Sequence, residues 1–268
     1  MNEATVDPAQ GAPSPTSGIT TKLILWAACV LIAENWRRTW TVWLFAAAFA
    51  CATSFLGATI LGTTWVRFSW LAAVQAAHFW ISAAGYRALL GYGDGLWRMN
   101  ADFWRYIRAS LLILAAVLIC MLPFQLLRFV DFTEHRFVAG SVAVLFLLVV
   151  LPFLAIYGLR TLDWPVGLLV GECEMTFAES SRRMVGAKLA AFGALIVVGL
   201  VLALPNFCAK WLDGVASGDI GMRWLAAGAD GAMWCAQFVS GTAIISAVFA
   251  LTLPREHSLQ DADTAGQD

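Results

Sequence analysis

The sequence predicts an all-α fold: a polytopic membrane helix bundle with six transmembrane helices, further amphipathic helices at the cytoplasmic interface, and both termini in the cytoplasm. Hydrophobic residues make up 60% of the 268 residues and charged residues only 13%, and the mean hydropathy is +0.73. The polar and charged residues are too few to supply the polar surface that a soluble globule of this length needs. The charges also cluster between long apolar stretches, so we expect lipid to be the solvent.

The N-terminal region has two parts. Residues 1–18 are rich in Pro, Gly, Ala and Ser and have no apolar periodicity, which predicts a disordered tail. Residues 19–38 contain an eleven-residue apolar run that starts at Leu23, and such a run covers only about half of the ~30 Å hydrocarbon core. We expect an interfacial or packed helix on the cytoplasmic side that ends at Arg37 and Arg38. A seventh crossing is the alternative.

Six windows without charged residues follow. Lys and Arg cost about 2.5–3.5 kcal/mol each at the bilayer centre, so the stretches that lack them mark the spans. Each window has at least 19 residues, which is enough for a tilted transmembrane helix. The windows are residues 39–66, 68–86, 109–127, 137–159, 189–209 and 231–254. Residues 19–254 are therefore predicted to form one helical membrane domain, followed by a disordered acidic tail over residues 255–268.

The basic residues also predict the orientation. With the N-terminus inside, the inner segments hold twelve Lys and Arg residues and the outer segments hold five. The positive-inside rule therefore favours both termini in the cytoplasm. We expect a multi-pass protein of a bacterial inner (plasma) membrane, in contact with an anionic inner leaflet.

Two inner segments have an amphipathic pattern. Residues 87–108 begin with a glycine-rich turn and then place apolar side chains at near-helical spacing among arginines, which predicts a helix lying on the anionic leaflet. Residues 160–188 combine a turn at Trp164 and Pro165 with a second amphipathic stretch. The candidate contacts for lipid headgroups or for an unidentified membrane-protein partner are Arg98, Arg105, Arg108, Arg182 and Arg183.

A polar stripe in the second window is the sharpest candidate site. Four polar residues at i, i+3, i+7 and i+11 share one helix face, and such a face should turn away from lipid. They are Gln75, His78, Ser82 and Tyr86. An ionisable group inside a span suggests a proton relay or a substrate contact, although no window holds a carboxylate partner. The alternative is a neutral imidazole that is hydrogen-bonded to a neighbouring helix, for example to Gln237 or Ser240 in the last span.

Motifs for catalysis, metals and cofactors are missing from the sequence. The six cysteines are scattered singly, with no C-x-x-C pattern, and we expect small hydrophobic side chains and not disulfides or metal ligands. Glu172 and Glu174 flank Cys173 near Asp163, but acidic residues there are expected to be a solvated face that balances the neighbouring arginines. We predict no cofactor, no metal, no nucleic-acid partner and no enzymatic activity.

Two segments resemble known membrane proteins. Residues 86–91 (YRALLG) with residues 96–106 (LWRMNADFWRY) resemble uncharacterised bacterial six-span proteins, in which an R-x-L-L-G helix end precedes a cytoplasmic amphipathic helix. Residues 177–183 (FAESSRR), through Gly186, are similar to a helix that leads into the membrane domain found beside some glycerophosphoryl diester phosphodiesterases. The resemblance implies a helical membrane domain and carries over no catalytic residue.

Two functions are compatible with this pattern. The first is a non-enzymatic structural or accessory membrane component, whose Arg-rich inner segments contact lipid headgroups or a partner. The alternative is a small-solute or proton-coupled transporter or permease, with a pathway along the polar stripe of the second window and a helix kink at Pro152. The surroundings of His78 should distinguish them, because a polar cavity and a satisfied hydrogen bond have opposite implications.

Overall fold

A computed structural model describes residues 18–60, 64–92, 95–126, 151–171, 175–215 and 220–253, together with positions 141, 144 and 148. Within these ranges the chain is helical and contains no strand, which confirms the predicted all-α class. The helices are α1 (Thr21–Glu34), α2 (Trp36–Ile60), α3 (Thr64–Leu89), α4 (Ala101–Leu126), α5 (Leu151–Arg160), α6 (Trp164–Leu169), α7 (Phe177–Arg183), α8 (Lys188–Val215) and α9 (Ile220–Thr252).

Three helices of the described chain are long and apolar enough to cross a membrane. They are Trp36–Leu56 within α2, Lys188–Ala209 within α8, and α9, and they correspond to the first, fifth and sixth predicted windows. The second window lies in α3 and the third lies in α4 except for its last residue, while 11 of the 23 residues of the fourth lie outside the described residues. The chain is thus a helical membrane protein, and the number of six crossings stays a prediction.

The ends of the long helices meet at one end of the bundle, which we call the base: there α2, α4 and α8 begin and α3, α5 and α9 end. The Asn35 side chain donates a hydrogen bond to the carbonyl of Leu89 (2.9 Å) and so joins α2 to the end of α3. One buried apolar cluster joins α1, α3, α5, α8 and α9, and it includes Ile24, Leu89, Leu159, Met184, Ala187 and Val248. A second cluster joins α4 to α3, α6 and α9, and it includes Phe103, Tyr106, Tyr86, Val166 and Phe249. Consecutive long helices therefore run in alternate directions.

Helix α1 packs at the base against α8 and α9. Ile24 and Ala28 are fully or nearly fully buried in the apolar cluster, and the Thr21 hydroxyl donates to the carbonyl of Ala190 (3.3 Å). A packed helix was predicted here, but the predicted end at Arg37 and Arg38 is wrong. The helix ends at Glu34 and the chain turns at the next residue, so both arginines belong to the first turn of α2.

The first predicted interfacial helix is also wrong, because its helical part is the start of α4. The residues before Ala101 form turns and irregular chain, and α4 then continues without a break to Leu126. The side-chain oxygen of Asn100 accepts a hydrogen bond from the backbone N–H of Phe103 (3.1 Å) and caps the helix start. No helix breaker separates this start from the apolar window, so the amphipathic turns lead directly into it.

The second patterned segment forms the short helices α6 and α7. Pro165 lies in the first turn of α6 and not in a turn between elements, because proline suits a helix start, where its missing N–H costs no helical hydrogen bond. The Thr176 hydroxyl accepts a bond from the backbone N–H of Glu179 (3.2 Å) and caps α7. That helix ends at Arg183.

Helices α2 and α9 form a closely packed pair. Gly231 of α9 lies against Cys51 of α2, since a Cβ added at Gly231 would come within 2.9 Å of the Cys51 backbone nitrogen. Farther along, the rings of Phe55 and Trp224 stack with their centroids 3.9 Å apart. Small residues allow such close helix packing in lipid, and the pair supports one side of the bundle.

Candidate intramembrane site

The polar stripe of α3 lines one cavity between the helices. The cavity has a volume of about 570 Å³, and the stripe residues Gln75, His78, Ser82 and Tyr86 all border it. The helical spacing that placed them on one face therefore places them around one space. Whether they act on a ligand stays a prediction.

Helix α4 supplies further polar groups from the opposite side. Tyr106 and Ser110 border the cavity, and the Tyr106 hydroxyl lies within hydrogen-bonding range of the Ser82 and Ser110 hydroxyls. The rings of Tyr86 and Tyr106 lie 6.2 Å apart, and both tyrosines are buried. The phenol hydroxyl of Tyr106 can donate and accept a hydrogen bond on this side of the cavity.

The remaining walls of the cavity are mainly apolar. They come from the far part of α4, from the α5–α6 region, from α8 and from α9. The apolar lining residues include Ile113, Leu114, Val117, Leu159, Leu162, Val166, Phe192, Leu195 and Ile245. The cavity thus has one polar side, made by α3 and the start of α4, and one apolar side.

His78 packs against aromatic rings of α9. Its ring lies edge-on to Trp234 (5.2 Å between centroids) and to Phe238 (6.3 Å). The Ser240 hydroxyl donates to carbonyls of its own helix (2.7 and 3.1 Å), and among the described residues His78 has no hydrogen bond to it or to Gln237. Gln237 and His78 instead border a second, smaller cavity of about 260 Å³. A hydrogen bond from His78 to Gln237 or Ser240 is therefore not found between these described residues.

Pro152, the predicted kink of a pathway, lies in the first turn of α5, and its side chain lies outside the described part of the chain. A different proline borders the cavity: Pro165, at the start of α6. The sequence pattern placed Pro165 in a turn and gave no signal that this turn would fold back against α3 and α4.

Arg87 was missed as a structural residue. It is only 6% exposed, and its guanidinium donates to the carbonyls of Leu96 (3.3 Å) and Arg98 (2.6 Å). It also donates to the side-chain oxygen of Asn100 (2.7 Å), the residue that caps α4. Burial lowers the pKa of Arg87, and the nearby Asp102 carboxylate opposes this shift. Arg87 therefore holds the loop between α3 and α4 in place beside the cavity.

The five candidate arginine contacts all lie near the base. Arg98, Arg105 and Arg108 are exposed, and Arg105 pairs with Asp102 (2.8 Å). Glu179 pairs with both Arg182 and Arg183, and these contacts lower the pKa of Glu179, the Arg182 hydrogen bond most of all. Exposed pairs of this kind contribute about 0–1 kcal/mol. The Arg182 side chain is 80% exposed.

The acidic residues near α7 differ from the prediction. Glu172 and Glu174 lie outside the described residues. Asp163, which was expected on a solvated face, is completely buried, and the Ser180 hydroxyl donates a hydrogen bond to its carboxylate. The same hydroxyl also contacts the carbonyl of Arg160 (3.1 Å). Ser180 therefore ties α7 to the end of α5 and, through Asp163, to the start of α6, and local charge pattern does not reveal this role of Asp163.

Groups for metal binding do not come together in the described ranges. No three His, Cys, Asp or Glu side chains are close enough there to hold an ion, and the described cysteines Cys29, Cys51, Cys208 and Cys235 are free thiols. Cys120 and Cys173 have side chains outside the described part. The cavity offers hydroxyls, an amide and an imidazole, which can donate and accept hydrogen bonds.

Comparisons of the chain with protein-family models, with curated proteins and with solved structures find no match. The functional argument therefore depends on the geometry of the cavity and of the base.

Proposed function

We propose that the chain is a small-solute permease with six transmembrane helices, located in a bacterial inner membrane with both termini in the cytoplasm. One observation carries the proposal: the four polar side chains of the α3 stripe border a single cavity between the helices. Polar groups inside a membrane span are costly and usually face a pathway or a binding site. A binding site between helices of the bundle is the central part that a permease needs.

The position of the cavity supports transport more than a purely structural role. Four residues border both the larger cavity and the smaller one beside α9, namely His78, Ser82, Tyr86 and Ile245, so the two spaces adjoin along the stripe. A movement of these side chains, such as a rotation of the His78 ring, would join the spaces. The rotation of one imidazole ring is a small movement compared with the rearrangement of whole helices.

Flux measurements on the full chain in vesicles test the proposal. The solute panel consists of sugars, amino acids, nucleosides, polyols, amides and amphipathic alcohols. Leu114→Trp places an indole in the cavity, whereas Leu118→Trp adds the same group one turn later at an exposed position. We expect flux of at least one solute to disappear in Leu114→Trp and to persist in Leu118→Trp. No flux above that of protein-free vesicles for any solute would contradict the permease function.

The second candidate, a structural or accessory membrane component, is supported by the exposed cations at the base. Arg98 and Arg108 are exposed, and a basic residue near an anionic leaflet contributes about 1 kcal/mol. The double variant Arg98→Glu/Arg108→Glu should lose stabilisation by phosphatidylglycerol in nanodiscs. Arg223→Glu reverses an exposed charge in the first turn of α9, away from the base, and is the control. Equal lipid dependence in all three proteins would contradict this candidate.

The resemblance to the membrane domain beside glycerophosphoryl diester phosphodiesterases stays a prediction, as does an unidentified membrane-protein partner. We propose no enzymatic activity, because the described cavity groups do not include a nucleophile with an adjacent base and an orienting group. The His78 imidazole is packed edge-on against Trp234 and Phe238.

A further inference from the structure

The chemistry of the cavity limits the kind of molecule that it can hold. Its polar side consists of hydroxyls, an amide and an imidazole, and the described lining residues include no Asp, Glu, Lys or Arg. A ligand charge in this space would lack a countercharge, and burial of an unpaired ion is strongly unfavourable. The cavity is therefore unsuited to a permanently charged molecule.

Two charged residues at the base, Arg87 and Asp102, are already committed, and the buried Asp163, which is also absent from the described cavity lining, accepts a hydrogen bond from Ser180. Arg87 donates to carbonyls of the loop and to Asn100, and Asp102 accepts bonds from Asn100 (3.1 Å) and Arg105 (2.8 Å). Neither Arg87 nor Asp102 borders the cavity. Their groups cannot serve as counterions without giving up the contacts that hold the loop.

The distribution of polar and apolar walls gives the ligand a direction. Hydrogen-bonding groups concentrate on α3 and the start of α4, where Ser82, Tyr106 and Ser110 come together. The opposite walls carry aliphatic and aromatic side chains such as Phe192, Leu195 and Ile245. A ligand that satisfies both sides has one polar end and an apolar body, and a volume of about 570 Å³ is typical of small-molecule sites.

We propose that the cavity binds an uncharged amphipathic molecule, with a hydroxyl or amide head against Ser82, Tyr106 and Ser110 and an apolar body against α8 and α9. This inference rests on the proposed function, since the ligand is taken to be the solute that the permease carries. It adds the chemical class of that solute and its orientation in the site.

Photoaffinity labelling of the full chain in nanodiscs tests the ligand class. Three probes share one ten-carbon chain with a diazirine and differ in the head: a primary alcohol, a carboxylate and a trimethylammonium group. We expect the alcohol to label cavity residues of α4 such as Ile113 and Val117, detected by mass spectrometry. The charged probes should label these residues at least about tenfold less, because their charged heads lose hydration without gaining a countercharge.

Matched variants separate cavity labelling from labelling by probe dissolved in lipid. Leu114→Trp should reduce labelling by the alcohol about fivefold or more, since bulk fills the site, and Leu118→Trp should leave it unchanged. The double variant Ser82→Ala/Ser110→Ala keeps the cavity open and should remove the preference for the alcohol over a headless alkane probe. Ser240→Ala is its control, because that hydroxyl bonds only within its own helix.

The outcomes distinguish this inference from the permease function. Cavity labelling by a charged probe as strong as that by the alcohol overturns the uncharged class, and measurable flux would leave the permease function standing. Alcohol labelling that Leu114→Trp does not reduce overturns the site itself. Cavity labelling that follows the expected pattern, in vesicles without flux, overturns transport and leaves the ligand class intact.

Discussion

Arg87 illustrates how the end of a membrane helix can bury a cation without a carboxylate in direct contact. Its guanidinium takes the carbonyls of Leu96 and Arg98 as acceptors, and Gly91 and Gly95 turn the chain with φ values of 85° and 91°. Only glycine adopts such φ values at little cost. The loop is therefore shaped around a single side chain.

Substitution of Arg87 should destabilise the protein. Arg87→Ala removes several hydrogen bonds to a charged donor, each of which contributes about 1.5–3 kcal/mol, so the free energy of unfolding in an SDS titration should fall by at least that amount. Arg87→Lys should recover little, because an ammonium lacks the fork that reaches several acceptors. Arg108→Ala, at an exposed position of α4, is the control and should change stability by less than about 0.5 kcal/mol. Equal effects for Arg87→Ala and Arg108→Ala would contradict the structural role of Arg87.

The spacing of polar residues in α3 could be interpreted from the sequence because helix periodicity is local. The same reasoning could not find Tyr106 and Ser110 as their neighbours, since α3 and α4 meet through a loop whose shape depends on Arg87. It also predicted that Asp163 would face solvent, because local charge pattern does not reveal that the Ser180 hydroxyl donates a hydrogen bond to this carboxylate. The polar groups of one element were thus predictable, and the groups brought by other elements were not.

At the scale of elements, the contact of α2 with α9 depends on the absence of a side chain at Gly231. A methyl group there would collide with the backbone of Cys51, and the two helices would have to separate. Gly231→Ala should therefore lower the free energy of unfolding by about 1–3 kcal/mol, as overpacking does. Gly228→Ala lies in the same helix with nothing within 4 Å of the added atom and should be neutral. Equal stability of the two variants would contradict the close packing.

The docking of α1 on α8 can be tested in the same way. A Cβ at Gly193 would lie 2.6 Å from the Thr21 hydroxyl oxygen, next to the bond from Thr21 to Ala190. We expect Gly193→Ala to release the start of α1 and to increase hydrogen exchange at residues 21–28. Gly199→Ala in the same helix meets nothing within 4 Å and should leave exchange unchanged. Exchange that is equally slow in both variants would mean that α1 is held by other contacts.

Amphipathic periodicity predicted which residues of the inner segments share a helix face, but it did not predict which helices those segments belong to. Phe103 and Tyr106 are buried while Arg105 and Arg108 are exposed, as an amphipathic helix requires. The pattern alone cannot say whether such a helix stops at the interface or continues into a span, because both have the same periodicity over two turns. Here Asn100 caps the start of a helix that continues to Leu126.

For the whole molecule, the base provides a direct test of orientation. If the base is cytoplasmic, Arg98→Cys and Arg182→Cys in a cysteine-free background should react with an impermeant maleimide only after the cells are opened. Ile220→Cys, at the start of α9, should react in intact cells. The positive-inside rule provides the physical reason. Labelling of all three positions from the same side would contradict the proposed topology.

The contacts of α2 and α1 with α9 also have a consequence for biosynthesis. Trp43 and Cys235 are far apart in the sequence but in contact in the structure, where the Cys235 thiol lies 3.4 Å from the Trp43 carbonyl. About 160 residues separate the end of α2 from the start of α9. At about 5–20 residues per second, a ribosome needs roughly 8–32 s to make them. During that time α2 lies in the membrane, and the face that later packs against α9 is uncovered. The bundle closes only after α9 emerges, so the early helices depend on lipid or on the insertion machinery to cover them until then.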